Sequence, residues 1–310
     1  MPFLEVEMAQ TNRQVVIITG AGRGLGRAHA LEFARRGAAV VVNDLGAGVD
    51  GTGADAHPAE EVAEEVRRLG GEAIVNGDDI SEPDGAEKLF RSALDEWGKV
   101  DVLVNNAGIL RDRMLVNMTI DEWDSVIKVH LRGTFCPMSV AAKHWRDLAK
   151  QGEEVDARII NTTSSSGIYG NPGQLNYGAA KAGIAAMTVI AARELERYGI
   201  TVNAIAPAAL TRMTENLNPN RPKPAEGEFN PFTPENVAPL VAWLATPAAR
   251  GVTGRVFNIR GGNVSVAEGW VAGPGHDVDH DWTVEELDVV LPGLLDEARP
   301  NALTNGKVPD

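Results

Sequence analysis

Val15-Val16-Ile17-Ile18-Thr19-Gly20-Ala21-Gly22-Arg23-Gly24-Leu25-Gly26 decides the fold. A β-branched run, which suits a buried strand, passes straight into a glycine turn spaced G-x-x-x-G-x-G. The pattern from Arg27 to Arg36 then predicts a helix that stops at Gly37. Glycines allow a tight turn and close approach of the backbone to a pyrophosphate, and a helix N-terminus adds free N–H donors at a positive dipole end. The spacing is not G-x-G-x-x-G. In isolation a turn that merely needs flexible residues would look the same. With a strand before and a helix after, the segment reads as a nucleotide site carried by Gly20, Arg23, Gly24, Leu25 and Gly26.

Working outward, short apolar runs alternate with helical patterns, as in βαβ units around a parallel sheet. Strands are predicted at Val15 to Thr19, Ala38 to Asn43, Ala73 to Val75, Val100 to Asn105, Arg158 to Thr162, Thr201 to Ile205 and Val256 to Ile259. Helices are predicted over Ala59 to Leu69 and Pro83 to Trp97, each stopped by glycine, and along the stripe Ala180, Ile184, Met187, Ala191 and Leu195. Thr119 and Glu122 form a capping box ahead of a stripe of Trp123, Val126, Ile127, His130 and Leu131. The expectation is an α/β, doubly wound, Rossmann-type, seven-stranded parallel sheet with helices on both faces and its ligand crevice at the carboxyl ends of the strands. Residues 1–262 form the dinucleotide-binding and catalytic domain in this reading, and 263–310 an acidic extension packed on it. Gly46 to Pro58 reads as a surface loop. Thr211 to Pro234, which holds five prolines, reads as a substrate-covering loop.

Composition narrows the function. The 310 residues carry a formal charge of −14, which argues against nucleic acid or an anionic membrane as partner. Ten acidic and two basic residues fall in 263–310, so most of that surplus lies in the tail. The single cysteine, Cys136, excludes an intrachain disulfide and makes a Cys-based zinc site implausible. Met1 to Gln14 lacks the layout of a signal peptide, and no apolar run approaches ~18 residues, so a cytoplasmic protein is expected, without membrane insertion. The stretch His276-Asp277-Val278-Asp279-His280-Asp281 reads as an exposed acidic loop, and no metal is expected.

The chemistry-bearing residues follow the strands. Asp44 closes the second strand, where a carboxylate can accept from both ribose hydroxyls and would repel a 2′-phosphate. It points to NAD, although Arg23 inside the turn could hold a 2′-phosphate. Tyr177 and Lys181 share a helix face. An ammonium beside a phenol favours the phenolate, and lowering the phenol by ~2 to 3 units takes ~3 to 4 kcal/mol of differential interaction. Such a pair can exchange a proton with an alcohol or carbonyl, although taken alone this spacing reads more readily as an ordinary surface pair. Ser164, Ser165 and Ser166 follow the fifth strand, where a hydroxyl can orient a substrate oxygen, though a hydroxyl-rich turn would read alike.

Together these pieces resemble the short-chain dehydrogenase/reductase family, from about Gln14 to Gly262. The matching motifs are Thr19 to Gly26, Asn105-Asn106-Ala107-Gly108, the serine run, Tyr177-x-x-x-Lys181 and Asn203-Ala204-Ile205-Ala206-Pro207. The resemblance implies that Tyr177 is the general acid/base and that Ser164, thirteen residues before it, holds the reacting oxygen. Lys181 would bind the ribose and tune Tyr177. Asn105 to Gly108, with Asn106, Ala107 and Gly108 as contacts, would shape the adenosine side, and Asp79 and Ile80 would border the adenine. Pro207 and Thr211 would lie at the nicotinamide end. Where most members carry an asparagine in a proton relay, this chain has His130, which the resemblance adds to the catalytic set. On the residues alone, His130 lies on the buried stripe, and a core histidine with satisfied nitrogens is the favoured reading. Ala208 replaces the usual glycine after the proline.

Val129 to Gly133, Asn43 to Gly46, Asn105 to Arg113 and Gly167 to Asn171 are similar to one subgroup, the (3R)-hydroxyacyl-CoA dehydrogenase portion of peroxisomal multifunctional β-oxidation enzymes, also described as a 17β-hydroxysteroid dehydrogenase. Nothing after Gly262 resembles the other portions, and Val308-Pro309-Asp310 is not a peroxisomal signal, so a stand-alone enzyme is expected. The implied activity is NAD-dependent oxidation of a (3R)-3-hydroxyacyl-CoA, fatty or steroid side-chain, by a homodimer or homotetramer. The alternatives are a hydroxysteroid dehydrogenase, a 3-oxoacyl-carrier-protein reductase, which would favour NADP, and a non-catalytic dinucleotide sensor.

Overall fold

The computed structural model describes residues 13–48, 53, 57–209 and 228–309. Its strands are β1 (Val15–Thr19), β2 (Ala39–Asn43), β3 (Glu72–Asn76), β4 (Val102–Asn105), β5 (Ala157–Thr162), β6 (Ile200–Pro207), β7 (Val256–Arg260) and β8 (Asn263–Ala267). They form one sheet in the order β3-β2-β1-β4-β5-β6-β7-β8, parallel except for the antiparallel pair β7–β8. The order reverses direction between β1 and β4, so the chain leaves a crevice where the two halves diverge.

The central strands lack alternation because both faces are covered. Even-numbered side chains of β1 and β2 (Val16, Ile18, Val40, Val42) pack with α1 (Gly24–Arg35), α2 (His57–Arg68) and α8 (Ala238–Leu244). Odd-numbered ones (Val15, Ile17, Ala39, Val41) pack against Leu89 and Phe90 of α3 (Pro83–Trp97) and Trp145 of α5 (Gly133–Lys150). Trp145 is 2% exposed, and its indole N–H donates to the Val100 carbonyl at 2.8 Å, so its burial leaves no polar atom unpaired.

Three features depart from the expectations. An eighth strand joins the predicted seven: Asn263–Ala267 turns back at Gly261-Gly262 onto β7, so the sheet continues past residue 262. Its Val264 and Val266 are half exposed on this edge strand, and this short run was too weak a pattern to read. The first helix begins at Gly24, inside the glycine turn, rather than at Arg27. The stripe after the Thr119 capping box is not one α-helix. It divides into α4 (Ile120–Val126) and a π-helical segment, Ile127–Arg132, that continues into α5. A widened turn of this kind re-aims side chains, and here it carries His130. Of the predicted stripe, Val126 and His130 are buried, while Trp123, Ile127 and Leu131 are only partly so.

After β5 come α6 (Ser165–Tyr169) and α7 (Leu175–Leu195), and after β8 an irregular stretch leads to α9 (Val284–Glu297), capped by Thr283 and Glu286. None of the α9 residues is buried. Among the described residues no helix is long and apolar enough to cross a membrane.

Candidate active site

A cavity of about 860 Å³ opens at the carboxyl ends of the strands. The strand ends beneath it are polar: Thr19, Asn43, Asn76, Asn105 and Asn161 are all buried there, and of these Asn43 lines the cavity. Asn43 Nδ2 donates to Asn76 Oδ1 at 2.8 Å, and Asn105 Nδ2 donates to Asn161 Oδ1 at 2.9 Å, whose own amide donates to Thr188 Oγ1 at 3.0 Å.

One end of the cavity is built by the glycine turn. Gly20 has φ +63°, and a Cβ there would stand 2.7 Å from Ala107 Cα, so the position demands glycine on two counts. Gly26 is buried beneath the turn rather than on the cavity wall, where a Cβ would run into the Gly20 carbonyl. Asn106 ties the turn to β4: its Nδ2 donates to the carbonyls of Thr19 and Gly20, each at 3.0 Å. Arg23 precedes the helix with no side-chain cap bond, so the first-turn N–H groups at Gly24 and Leu25 face the cavity uncapped. Asp44 follows β2, its Oδ2 accepting from Gly22 N at 2.8 Å and its Oδ1 from Gly46 N at 2.7 Å. Asp79, Ile80, Ala107 and Gly108 line the same cavity, as does Pro207 at the end of β6. An uncapped helix N-terminus suited to a pyrophosphate, beside a carboxylate suited to a ribose diol, fits a dinucleotide. Thr211 and most of the segment 211–234 lie outside the described residues.

The other wall brings together Ser164, Tyr177, Lys181 and His130. Ser164 follows β5 in extended backbone and caps α6, accepting from Ser166 N at 3.2 Å. Asn176, fully buried, donates to the carbonyls of Arg111 and Glu122 and accepts from the Tyr177 N–H at 2.7 Å, which fixes the start of α7 just ahead of Tyr177. Lys181 Nζ donates to the Thr162 carbonyl at 2.6 Å and stands 5.5 Å from the Tyr177 ring centre. Burial brings its pKa down to about 7.

The expected depression of Tyr177 is not what this geometry gives. Burial pushes the phenol up to about 12, a hydrogen bond with Ser164 pulls it back in part, and the Asp112 carboxylate nearby adds to the rise. The reason is desolvation: the burial that lowers the lysine also opposes a phenolate, and it outweighs the proximity of the two groups along the helix. Asp112 is itself raised by burial and is held by Gln174 Nε2 at 2.8 Å.

His130 is 1% exposed. Its Nε2 lies 3.1 Å from the Ile109 N–H and 2.8 Å from the Ile109 carbonyl, and its ring meets Tyr177 edge-to-face at 5.1 Å. Nδ1 has no partner among the described residues, so the ring is neither a fully satisfied core histidine nor a surface one. Burial first, and the Lys181 charge second, hold its pKa well below the usual imidazole value. Gly108 makes room for it, since a Cβ there would stand 2.3 Å from His130 Cε1. Asn176, Gln174 and Asp112 were not singled out from the sequence. The run of amides just ahead of Tyr177 was the only signal for Gln174 and Asn176, and Asp112, far off along the chain, had none.

In the acidic loop His280 is paired with Glu286 at 2.8 Å, and among the described residues no group of three or more metal-ligating side chains stands together.

Residues 14–222 match the short chain dehydrogenase family. The chain is 46% identical over 255 residues to the hydroxyacyl-CoA dehydrogenase ChsB1 of Mycobacterium tuberculosis, covering 82% of this chain and 79% of that one. It is 44% identical over 258 residues to peroxisomal multifunctional enzyme type 2 of Mus musculus, covering 83% of this chain and 32% of that larger protein. A crystal structure of a short chain dehydrogenase from Mycobacterium avium superposes with a TM-score of 0.83 at 50% identity, covering 93% of this chain and 96% of that one.

Proposed function

This chain belongs to the short-chain dehydrogenase family and is an oxidoreductase, and from that premise we propose that it oxidises a (3R)-3-hydroxyacyl-CoA, fatty or steroid side-chain, to the 3-oxoacyl-CoA with NAD. The observation that carries the reading is the convergence of Ser164, Tyr177 and Lys181 on one wall of the crevice, on a chain so similar to a hydroxyacyl-CoA dehydrogenase. Ser164 holds the substrate oxygen. Tyr177 exchanges the hydroxyl proton with it, and Lys181, placed to titrate near neutrality, is the adjacent cation that favours the phenolate when it carries its proton. His130 is a positioning residue that takes the place of the usual asparagine, holding the Ile109 backbone and the edge of the Tyr177 ring, with Nδ1 free for a proton relay.

NAD, when bound, accepts the hydrogen and its two electrons from the carbinol carbon. The chain's contribution is to hold it. The uncapped start of α1 takes the pyrophosphate, Asp44 takes the ribose hydroxyls with a carboxylate already fixed by two backbone N–H groups, and Asp79 and Ile80 border the adenine. Asp44 favours NAD over NADP because a 2′-phosphate would meet a carboxylate directly. Arg23 is the one cation of the turn that could oppose this preference.

The reading includes a cytoplasmic location and a homodimer or homotetramer. It is tested by adding (3R)- and (3S)-3-hydroxyacyl-CoA separately, with NAD or NADP, and following absorbance of the reduced cofactor. Turnover of the (R) isomer with NAD is expected. No (R)-selective turnover refutes it, and faster turnover of free hydroxysteroids in the same assay transfers the site to that class.

A further inference from the structure

The chain after α9 returns to the reaction crevice. Leu303 N donates to the Lys307 carbonyl at 2.8 Å and Gly306 N donates to the Leu303 carbonyl at 2.7 Å, closing a tight turn. Thr304 Oγ1 docks that turn on the end of α6 by donating to the Gly170 carbonyl at 2.8 Å. Gly306 lies against the Tyr169 ring, with φ +78°, and a Cβ would come within 3.2 Å of Cζ and the phenol oxygen. Tyr169 Oη in turn accepts from Asn258 Nδ2 on β7 at 3.0 Å. Three distant segments therefore meet around one ring, five residues beyond Ser164. Thr304, Asn305 and Gly306 line the same cavity as Ser164 and Tyr177.

Polar side chains gather around the turn. Asn171, Asn258, Ser265, Thr304 and Asn305, all uncharged and hydrogen-bonding, line the cavity with it, as do Arg260, Val266 and Phe232. Tyr169 accepts from Asn258 and keeps its own O–H to donate, and Asn305 spends Oδ1 on Lys307 N and keeps its amide N–H groups. A hydrocarbon chain laid against those five side chains would strip water from amides and hydroxyls and return nothing, whereas a flexible ligand bearing secondary amides can pair with donors and acceptors alike.

We infer that the Leu303–Lys307 turn is a specificity-determining wall of the substrate crevice, and that it faces the amide-bearing thioester arm of an acyl-CoA rather than its acyl chain. The inference rests on the hydroxyacyl-CoA reading above. It gives part of the acidic tail a role in recognition, through the tail's uncharged residues.

The test uses the full chain with Gly306→Val, which drives a branched side chain onto Tyr169, and Thr304→Val, which removes only the docking hydrogen bond. Substrates are (3R)-3-hydroxybutyryl-CoA, the N-acetylcysteamine thioester of the same acid, and (3R)-3-hydroxyhexadecanoyl-CoA. The ratio of kcat/KM between the CoA and N-acetylcysteamine thioesters should fall about tenfold in Gly306→Val and about threefold in Thr304→Val, carried by KM. The ratio between the sixteen- and four-carbon CoA thioesters should stay within twofold of wild type. An unchanged arm ratio in folded variants overturns the wall, and a shift in the chain-length ratio instead overturns its assignment to the arm. Should Gly306→Val fail to fold, Thr304→Val alone decides. Wild type inactive on all three thioesters refutes the hydroxyacyl-CoA reading and this inference with it, whereas active wild type with an unmoved arm ratio refutes the inference alone.

Discussion

His29 gives the sharpest quantitative expectation. It lies on α1, whose N-terminus forms the dinucleotide end of the crevice, and it is 0% exposed with both ring nitrogens unpartnered. Burial pushes its pKa down to about 3. In the unfolded chain an imidazole titrates near ~6.5. As pH falls below that value the unfolded state takes up a proton that the native state refuses, so stability declines by about 1.4 kcal/mol per pH unit until the folded pKa is reached. At pH 5 the loss from this one group is ~2 kcal/mol, and at pH 3 it reaches ~5 kcal/mol. His29→Leu removes the titration, and it also removes two buried polar atoms without partners, so the variant should equal or exceed wild type at pH 7. Urea unfolding followed by tryptophan fluorescence at pH 7, 6, 5 and 4.5 measures the difference. Carboxylate contributions are common to both proteins and cancel. The gap between variant and wild type should widen steadily below pH 6.5. Curves that remain parallel would refute the reasoning, because they would mean that the imidazole accepts its proton in the folded state.

Other substitutions address the crevice. Tyr177→Phe should lower kcat by about 10²- to 10⁴-fold, the usual worth of a general acid/base, while a fluorescence titration finds NAD still bound. Asp44→Ala should raise kcat/KM with NADP at least ~10-fold and weaken NAD, since the carboxylate both opposes a 2′-phosphate and holds the N–H groups of Gly22 and Gly46. Gly108→Ala should cost ~1 to 3 kcal/mol in urea unfolding and lower kcat, because the added methyl group must displace the His130 ring from the Ile109 backbone.

The residues that announce themselves in one dimension are those whose neighbours in space are also neighbours in sequence. The strand, turn and helix from Val15 to Arg35 were legible because β-branched residues and closely spaced glycines act locally, as were the capping box at Thr119 and the shared helix face of Tyr177 and Lys181. Asn105 gave no hint of Asn161, nor Asn161 of Thr188, because a lone amide in an apolar strand finds its partner only through sheet register. The π-helical turn was hidden because its apolar residues keep spacings that an α-helix would also show. The balance between Tyr177 and Lys181 was misjudged because proximity along a helix says nothing of how much water each group loses. The Leu303–Lys307 turn could not be assigned to the crevice, since 134 residues separate Thr304 from the Gly170 carbonyl that holds it.

The polar strand ends beneath the crevice have a consequence for how such an enzyme responds to its surroundings. Carboxamides and hydroxyls there (Thr19, Asn43, Asn76, Asn105 and Asn161) carry no proton that comes and goes in water. Their share of the field in the crevice is therefore the same at pH 5 as at pH 9. On the proposed mechanism, an acidic or basic shift in the medium is felt at the reacting oxygen through Tyr177, Lys181, His130 and the neighbouring Asp112, so the bell of the rate profile reports that small group rather than the scaffold beneath it.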